Sequence, residues 1–182
     1  MKFNLFKDEM SSLRILIYPD PFLKKEAASV EKVDDQLVTL AHDMLETMYN
    51  APGVGLAAPQ VGHGKRLIVL DVSHKEGERD PHILINPEIV ESDGAVTFEE
   101  GCLSLPGYLT DVKRAEKVLV RGLDLNENPV EIEADELLAI ALQHEIDHLN
   151  GVLIIDRASP LKRELYRRKV RKALKQKQSN AL

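Results

Sequence analysis

From Val33 to Asn50, apolar residues fall at Leu37, Leu40, Met44, Leu45 and Met48, a spacing of three and four that predicts an amphipathic helix. Asp34 or Asp35 is placed to cap it, and it ends before Pro52. Arg66 to Val72, His82 to Ile85, Ile89 to Glu91 and Lys117 to Leu123 are short, β-branched runs bounded by turn residues, so they read as strands. Asn126 to Pro129 reads as a turn into a further strand, Val130 to Ile132. Asp135 to Leu149 predicts a second helix whose first half, Glu136 to Leu142, is apolar nearly all round and so belongs inside a domain. Gly151 supplies its stop. Ser159 and Pro160 open a third helix, with Leu161, Leu165, Tyr166, Val170, Ala173 and Leu174 on one stripe that can dock while the opposite face stays wet.

Strands mixed with three separated helices, without regular βα alternation, predict an α+β fold. The expected architecture is a single domain of short, mostly antiparallel strands packed around the buried second helix, with a C-terminal helix. A length of 182 residues suits one such domain, and no repeat or Gly/Pro/Ser-rich linker divides it. We expect residues 1–160 to form the working body and residues 161–182 a basic tail of the same domain.

Charge changes this picture. The whole chain carries −6, yet Leu161 to Leu182 holds nine Lys/Arg against one acid, Glu164. An acidic body with a basic tail points to a polyanionic partner for the tail, or to a solvated charged helix; charge alone does not choose. The single cysteine, Cys102, permits no intrachain disulfide and fits a reducing compartment. Met1 to Met10 lacks the apolar run of a signal peptide, and no segment is long and apolar enough to span a membrane, so the expected location is cytoplasmic.

The chemistry concentrates on the second helix. His144, Glu145 and His148 form H-E-x-x-H; residues four apart share a helix face, so both imidazoles can converge on one metal ion. Glu145, about 100° round the helix, can reach a water at that ion without being a ligand. A His, Glu, Asp and His cluster in a buried helix would be costly without a strong partner, which favours a metal over chance. A hydrolytic site needs a third ligand and an open position. Ile154 stands where a metzincin would place a histidine, and His42, His63, His74 and His82 have surface readings. Cys102, in Glu99 to Pro106, remains the candidate. Gly53 to Gln60 superficially fits a dinucleotide fingerprint, but a helix precedes it and Pro59 interrupts it. Its glycines instead permit a close backbone approach, and Gln60 adds an amide donor.

Three motifs in order, Gly55 to Gln60 (GLAAPQ), Glu100 to Ser104 (EGCLS) and His144 to His148 (HEIDH), closely resemble the signatures of peptide deformylases. The resemblance extends through Tyr18 to Pro21, Val112 to Val118 and Asp156 to Arg163, and covers about residues 13–163; Ile154 and Ala158 stand where more typical members carry Phe and Leu. It implies metal-dependent removal of the formyl group from formylmethionyl nascent peptides, with Cys102, His144 and His148 as metal ligands. It further implies Glu145 as the acid/base, with Gln60 and the Leu103 backbone N–H as oxyanion donors. Leu137, Ile140 and Ala141 are placed to line a methionine slot, and the resemblance implies that backbone at Val54, Gly55 and Gly101 holds the peptide. A thiolate with two imidazoles suits Zn, Fe(II), Ni or Co alike, and the resemblance favours Fe(II) as the working ion. A buried Glu100–Arg114 pair is expected to hold the cysteine loop. The resemblance also implies a ribosomal partner for the tail, with no DNA and no membrane involved. A zinc endopeptidase, a structural metal module and an RNA-binding protein with a vestigial site remain alternatives.

Overall fold

The computed structural model describes residues 13–73, 77 and 79–179, so the expectations for Met1 to Met10, for His74 and for the last three residues lie outside the described residues. The first helix, α1 (Asp35–Asn50), is capped by Asp34, whose side chain accepts the Leu37 N–H at 2.8 Å. Its periodic residues Leu37, Leu40, Met44 and Met48 are buried as their spacing requires. Seven strands follow: β1 (Gly55–Ala57), β2 (Leu67–Leu70), β3 (His82–Asp93), β4 (Val96–Gly101), β5 (Leu109–Arg114), β6 (Lys117–Leu123) and β7 (Pro129–Ala134). The chain ends in α2 (Glu136–Leu149), the single turn α3 (Ile154–Arg157) and α4 (Pro160–Ser179).

The strands form an antiparallel sheet of order β1-β2-β3-β6-β7, and a separate hairpin of β4 with β5. Strand β2 explains why the domain needs helices on both faces of the sheet. All four of its residues are buried, with Ile68 and Leu70 packed in the cluster that contains α2, while Leu67 and Val69 join the cluster that contains α1. Side chains alternate across a strand, so β2 is the seam between two cores. Burial of each such side chain is worth about 1.5–3 kcal/mol. A third cluster, which includes Leu105, Tyr108, Val112, Ile155 and Tyr166, lies under the cysteine loop and holds the β4–β5 hairpin against α3 and the start of α4.

Three features differ from the sequence expectation. The runs at 82–85 and 89–91 are one strand, because Pro87 shifts the register between Ile85 and Glu88 without ending the strand. The β4–β5 hairpin has its Thr110, Val112 and Arg114 side buried, an alternation that the motif reading passed over. The stripe on α4 docks only in part: Tyr166 is buried and Val170 packs beside it, whereas Leu161, Leu165 and Leu174 are 71%, 56% and 43% exposed. The body meets one face of the first turns of α4, through an Asp111–Lys162 ion pair and Arg163 bonds to the carbonyls of Ile155 and Asp156. None of the described helices is long and apolar enough to cross a membrane.

Gly151 ends α2 with φ +67°, and a Cβ there would lie 2.5 Å from the Lys24 carbonyl oxygen. Backbone cannot yield as a flexible side chain can. Gly151→Ala should cost at least about 2 kcal/mol in chemical denaturation, combining left-handed strain with this clash.

Candidate metal centre

Helix α2 packs against the sheet with most of its second half buried, so the polar residues there meet mainly protein. His144 and His148, one turn apart, bring their Nε2 atoms within 3.3 Å. At the end of β4 the loop that joins the hairpin's two strands begins and turns Cys102 toward them, with its Sγ 3.2 Å from His148 Nε2. The three potential ligand atoms all lie within 4.8 Å of one another. One sulfur and two ring nitrogens facing a common point fit a borderline-soft divalent ion. Glu145, between the histidines, is buried, and its Oε2 has no hydrogen-bond partner among the described residues. An orphaned carboxylate oxygen beside three converging donors fits the same conclusion.

The glycine motif explains how Glu145 is held. Strand β1 passes so close that a Cβ on Gly55 would lie 2.9 Å from Glu145 Cγ and closer still to its carboxylate. No side chain fits between β1 and α2 at that point. Gln60 sits in a 3-10 turn, Ala58–Val61, that follows β1 directly. Its Oε1 accepts the Ala57 N–H at 2.8 Å, which turns its Nε2 toward Ser104 Oγ at 3.2 Å and Cys102 Sγ at 3.6 Å. Leu103 follows Cys102 on the cleft wall, and its side chain is the one a Cβ on Gly53 would meet.

Glu100 and Arg114 do form a buried pair: Arg114 Nε and Nη2 donate to the two Glu100 oxygens at 2.7 and 2.9 Å. Glu100 Oε2 also accepts from His144 Nδ1 at 2.8 Å, which leaves His144 Nε2 for the common point. Burial would raise the Glu100 carboxyl, but the Arg114 and His144 hydrogen bonds outweigh it and hold it at about 2. For His148, burial and the neighbouring cationic groups push the imidazole well below its ordinary value, so it stays neutral and able to coordinate.

A cleft of about 820 Å³ opens over these residues, lined in part by Val54, Gly55, Gly101, Leu137, Ile140 and Ala141. Ile140 and Ala141 are buried in its floor, and Leu137 stands at its mouth, 38% exposed. His144 and Glu145 reach the same space. His42 and His63 lie exposed elsewhere, and His82 sits beside Asp80.

The family description "Polypeptide deformylase" matches residues 12–164. This chain belongs to the peptide deformylase family. It is 58% identical over 160 residues to the peptide deformylase of Thermodesulfovibrio yellowstonii, an alignment that spans 88% of this chain and 97% of that one. The peptide deformylase of Alkalilimnicola ehrlichii is 53% identical over 171 residues, 94% of this chain and 96% of that one. Among solved structures, a Legionella pneumophila peptide deformylase superposes with a TM-score of 0.84 at 51% identity, covering 93% of this chain and 98% of that one. The chain is therefore a metal-dependent amidohydrolase that removes the formyl group from the N-terminal formylmethionine of newly made polypeptides. The endopeptidase, structural-module and RNA-binding alternatives fall with that result.

Sequence reasoning missed several deformylase residues around the centre. Asp147 and Arg157 extend the Glu100–Arg114 pair, and Ser104 accepts from Gln60. Phe98, Tyr108 and Leu109 join the cleft wall from the hairpin. The alternation along 109–114 could have signalled the hairpin, but nothing local announces the ion pairs.

Burial pushes the Glu145 carboxyl up to about 7 from an ordinary 4.5, opposed in part by His144 and Arg114. A carboxylate gains from added positive charge, so a divalent ion at the three donors should lower that midpoint. In metal-free protein, carbon-13 NMR should find one glutamate titrating near 7, and Zn loading should move it to lower pH. An ordinary midpoint without metal would mean that the carboxylate is not desolvated.

Proposed function

We propose that Cys102, His144 and His148 hold one divalent ion, Fe(II) in the working enzyme, and that Glu145 moves the protons of deformylation. The convergence of the three donor atoms beside a buried, unpartnered carboxylate oxygen carries this reading. When bound, the metal supplies Lewis acidity toward the formyl oxygen and toward water. Glu145 takes a proton from the attacking water as its oxygen bonds to the formyl carbon. It then gives that proton to the amine nitrogen as the carbon–nitrogen bond breaks, releasing formate and a free N-terminus. Gln60 Nε2 and the Leu103 N–H donate to the developing oxyanion, each worth about 3 kcal/mol.

Leu137, Ile140 and Ala141 offer an apolar slot for the methionine side chain, while backbone at Val54, Gly55 and Gly101 pairs with the peptide main chain. Main-chain pairing does not read side chains, so one site can serve many nascent peptides. Fe(II) with a thiolate ligand suits the reducing cytoplasm and predicts sensitivity to oxygen; Zn, Ni and Co fit the same donors. The acidic body, residues 1–160, would not bind DNA. The basic tail, residues 161–182, would bring the enzyme to ribosomal RNA, where its substrates emerge. Its cations past the docked turns support this, with Arg171, Lys172 and Lys175 exposed.

Protein loaded anaerobically with Fe(II) should release formate from a formyl-Met tripeptide. Glu145→Gln should lower that release by at least about 100-fold while keeping its metal; undiminished turnover would remove Glu145 from its role. Reversing Arg171, Lys172 and Lys175 to Glu spares Tyr166 and Val170. It should weaken ribosome co-sedimentation at low salt and leave tripeptide turnover unchanged. Equal co-sedimentation would exclude the tail as a ribosome contact.

A further inference from the structure

A line of alternating charges runs from solvent to the metal centre. Arg157, the last residue of α3, donates through Nε to Asp147 Oδ2 and through Nη2 to Asp147 Oδ1, both at 2.6 Å. Asp147 Oδ2 also accepts from Arg114 Nη1 at 2.6 Å. Arg114 grips both oxygens of Glu100, and Glu100 Oε2 accepts from His144 Nδ1. Side-chain exposure falls along this line from 39% at Arg157 through 13% at Asp147 to 2% at Arg114. We infer that Arg157 is a positioning residue for His144, acting through Asp147, Arg114 and Glu100 to set how firmly that imidazole faces the metal.

The geometry says why the outermost member matters. Arg114 is shared between two carboxylates: Nε and Nη2 face Glu100, and Nη1 faces Asp147. Its guanidinium is therefore held on two edges, by the fork onto Glu100 and by the single bond to Asp147. Asp147 is the less buried of the two, and the fork of Arg157 on both its oxygens holds its plane. Without that fork Asp147 can turn toward water. Arg114 then loses its hold on one side, and Glu100 and His144 lose a rigid backing. A lysine at 157 supplies charge without the paired donors, so it cannot restore the plane.

The size of the effect follows from distance. Groups that touch a metal-ligating histidine change metal affinity about 10–100-fold when removed. Arg157 stands three contacts further out and half in solvent, where ion pairs are screened. A roughly three- to tenfold change in metal release is the expected scale.

The inference rests on His144 being a metal ligand, and Co(II) keeps the two questions apart. Wild-type protein loaded with Co(II) should show thiolate-to-metal and d–d absorption bands; their absence would overturn the ligand reading and the inference with it. With those bands present, cobalt transfer to a chelator is timed in Arg157→Ala, Arg157→Lys and Arg163→Ala. The first two should release cobalt roughly three- to tenfold faster than wild type, with shifted d–d bands. Arg163 bonds carbonyls of the same α3–α4 junction without touching the charge line, so Arg163→Ala should release it at the wild-type rate. Wild-type release and bands in Arg157→Ala, or equal acceleration in Arg163→Ala, would overturn the inference. If Arg157→Ala fails to fold, Arg157→Lys carries the same comparison.

Discussion

Two histidines and a glutamate on an apolar helix are costly to bury, and the demand for partners organises the molecule around α2, although Glu145 Oε2 and His148 Nδ1 stay unpartnered among the described residues. The helix cannot answer it alone. Glu100 reaches His144 from the hairpin, Cys102 meets the histidines from the loop beyond it, and Gly55 admits Glu145 from the sheet. Each comes from a different element, so hairpin, sheet and helix must be in register before the centre exists.

Registration is supplied by the cores rather than by the polar groups. Strand β2, buried on both faces, fixes the level of β1 against α2, and β1 sets Gly55 and Gln60. The third cluster, beneath Cys102, fixes the hairpin against the chain that follows α2. The apolar contacts provide stability, while the buried ion pairs select one arrangement among those the cores would allow.

Legibility from sequence followed locality. The α2 helix and its H-E-x-x-H pair could be read because four-residue spacing is a property of the helix itself. Strand β6 was readable from its own β-branched run, and the α1 cap was narrowed to Asp34 or Asp35, of which the structure selects Asp34. Cys102 became a candidate only through elimination and a resemblance to deformylases, because its approach depends on a hairpin that meets α2 in space but lies far from it in sequence. The stripe on α4 was read as periodic and able to dock, and it docks only in part: period reports which face is apolar, not how much partner surface faces it. Asp147 was noticed only as one member of a costly buried cluster, and its link to Arg157 gave no signal, since a salt link between successive helices has no sequence period.

Strand β1 is an edge of the five-stranded sheet, and its approach to α2 leaves no room for a side chain at Gly55. Glu145 is only 4% exposed at the wall of the cleft beside this strand, so a chain end that is to reach it must enter as a narrow segment rather than as a folded surface. A polypeptide can therefore be processed only while its first residues are still free of its own fold. Burial of that carboxylate would thus act as a clock, closing the opportunity as the product's structure forms.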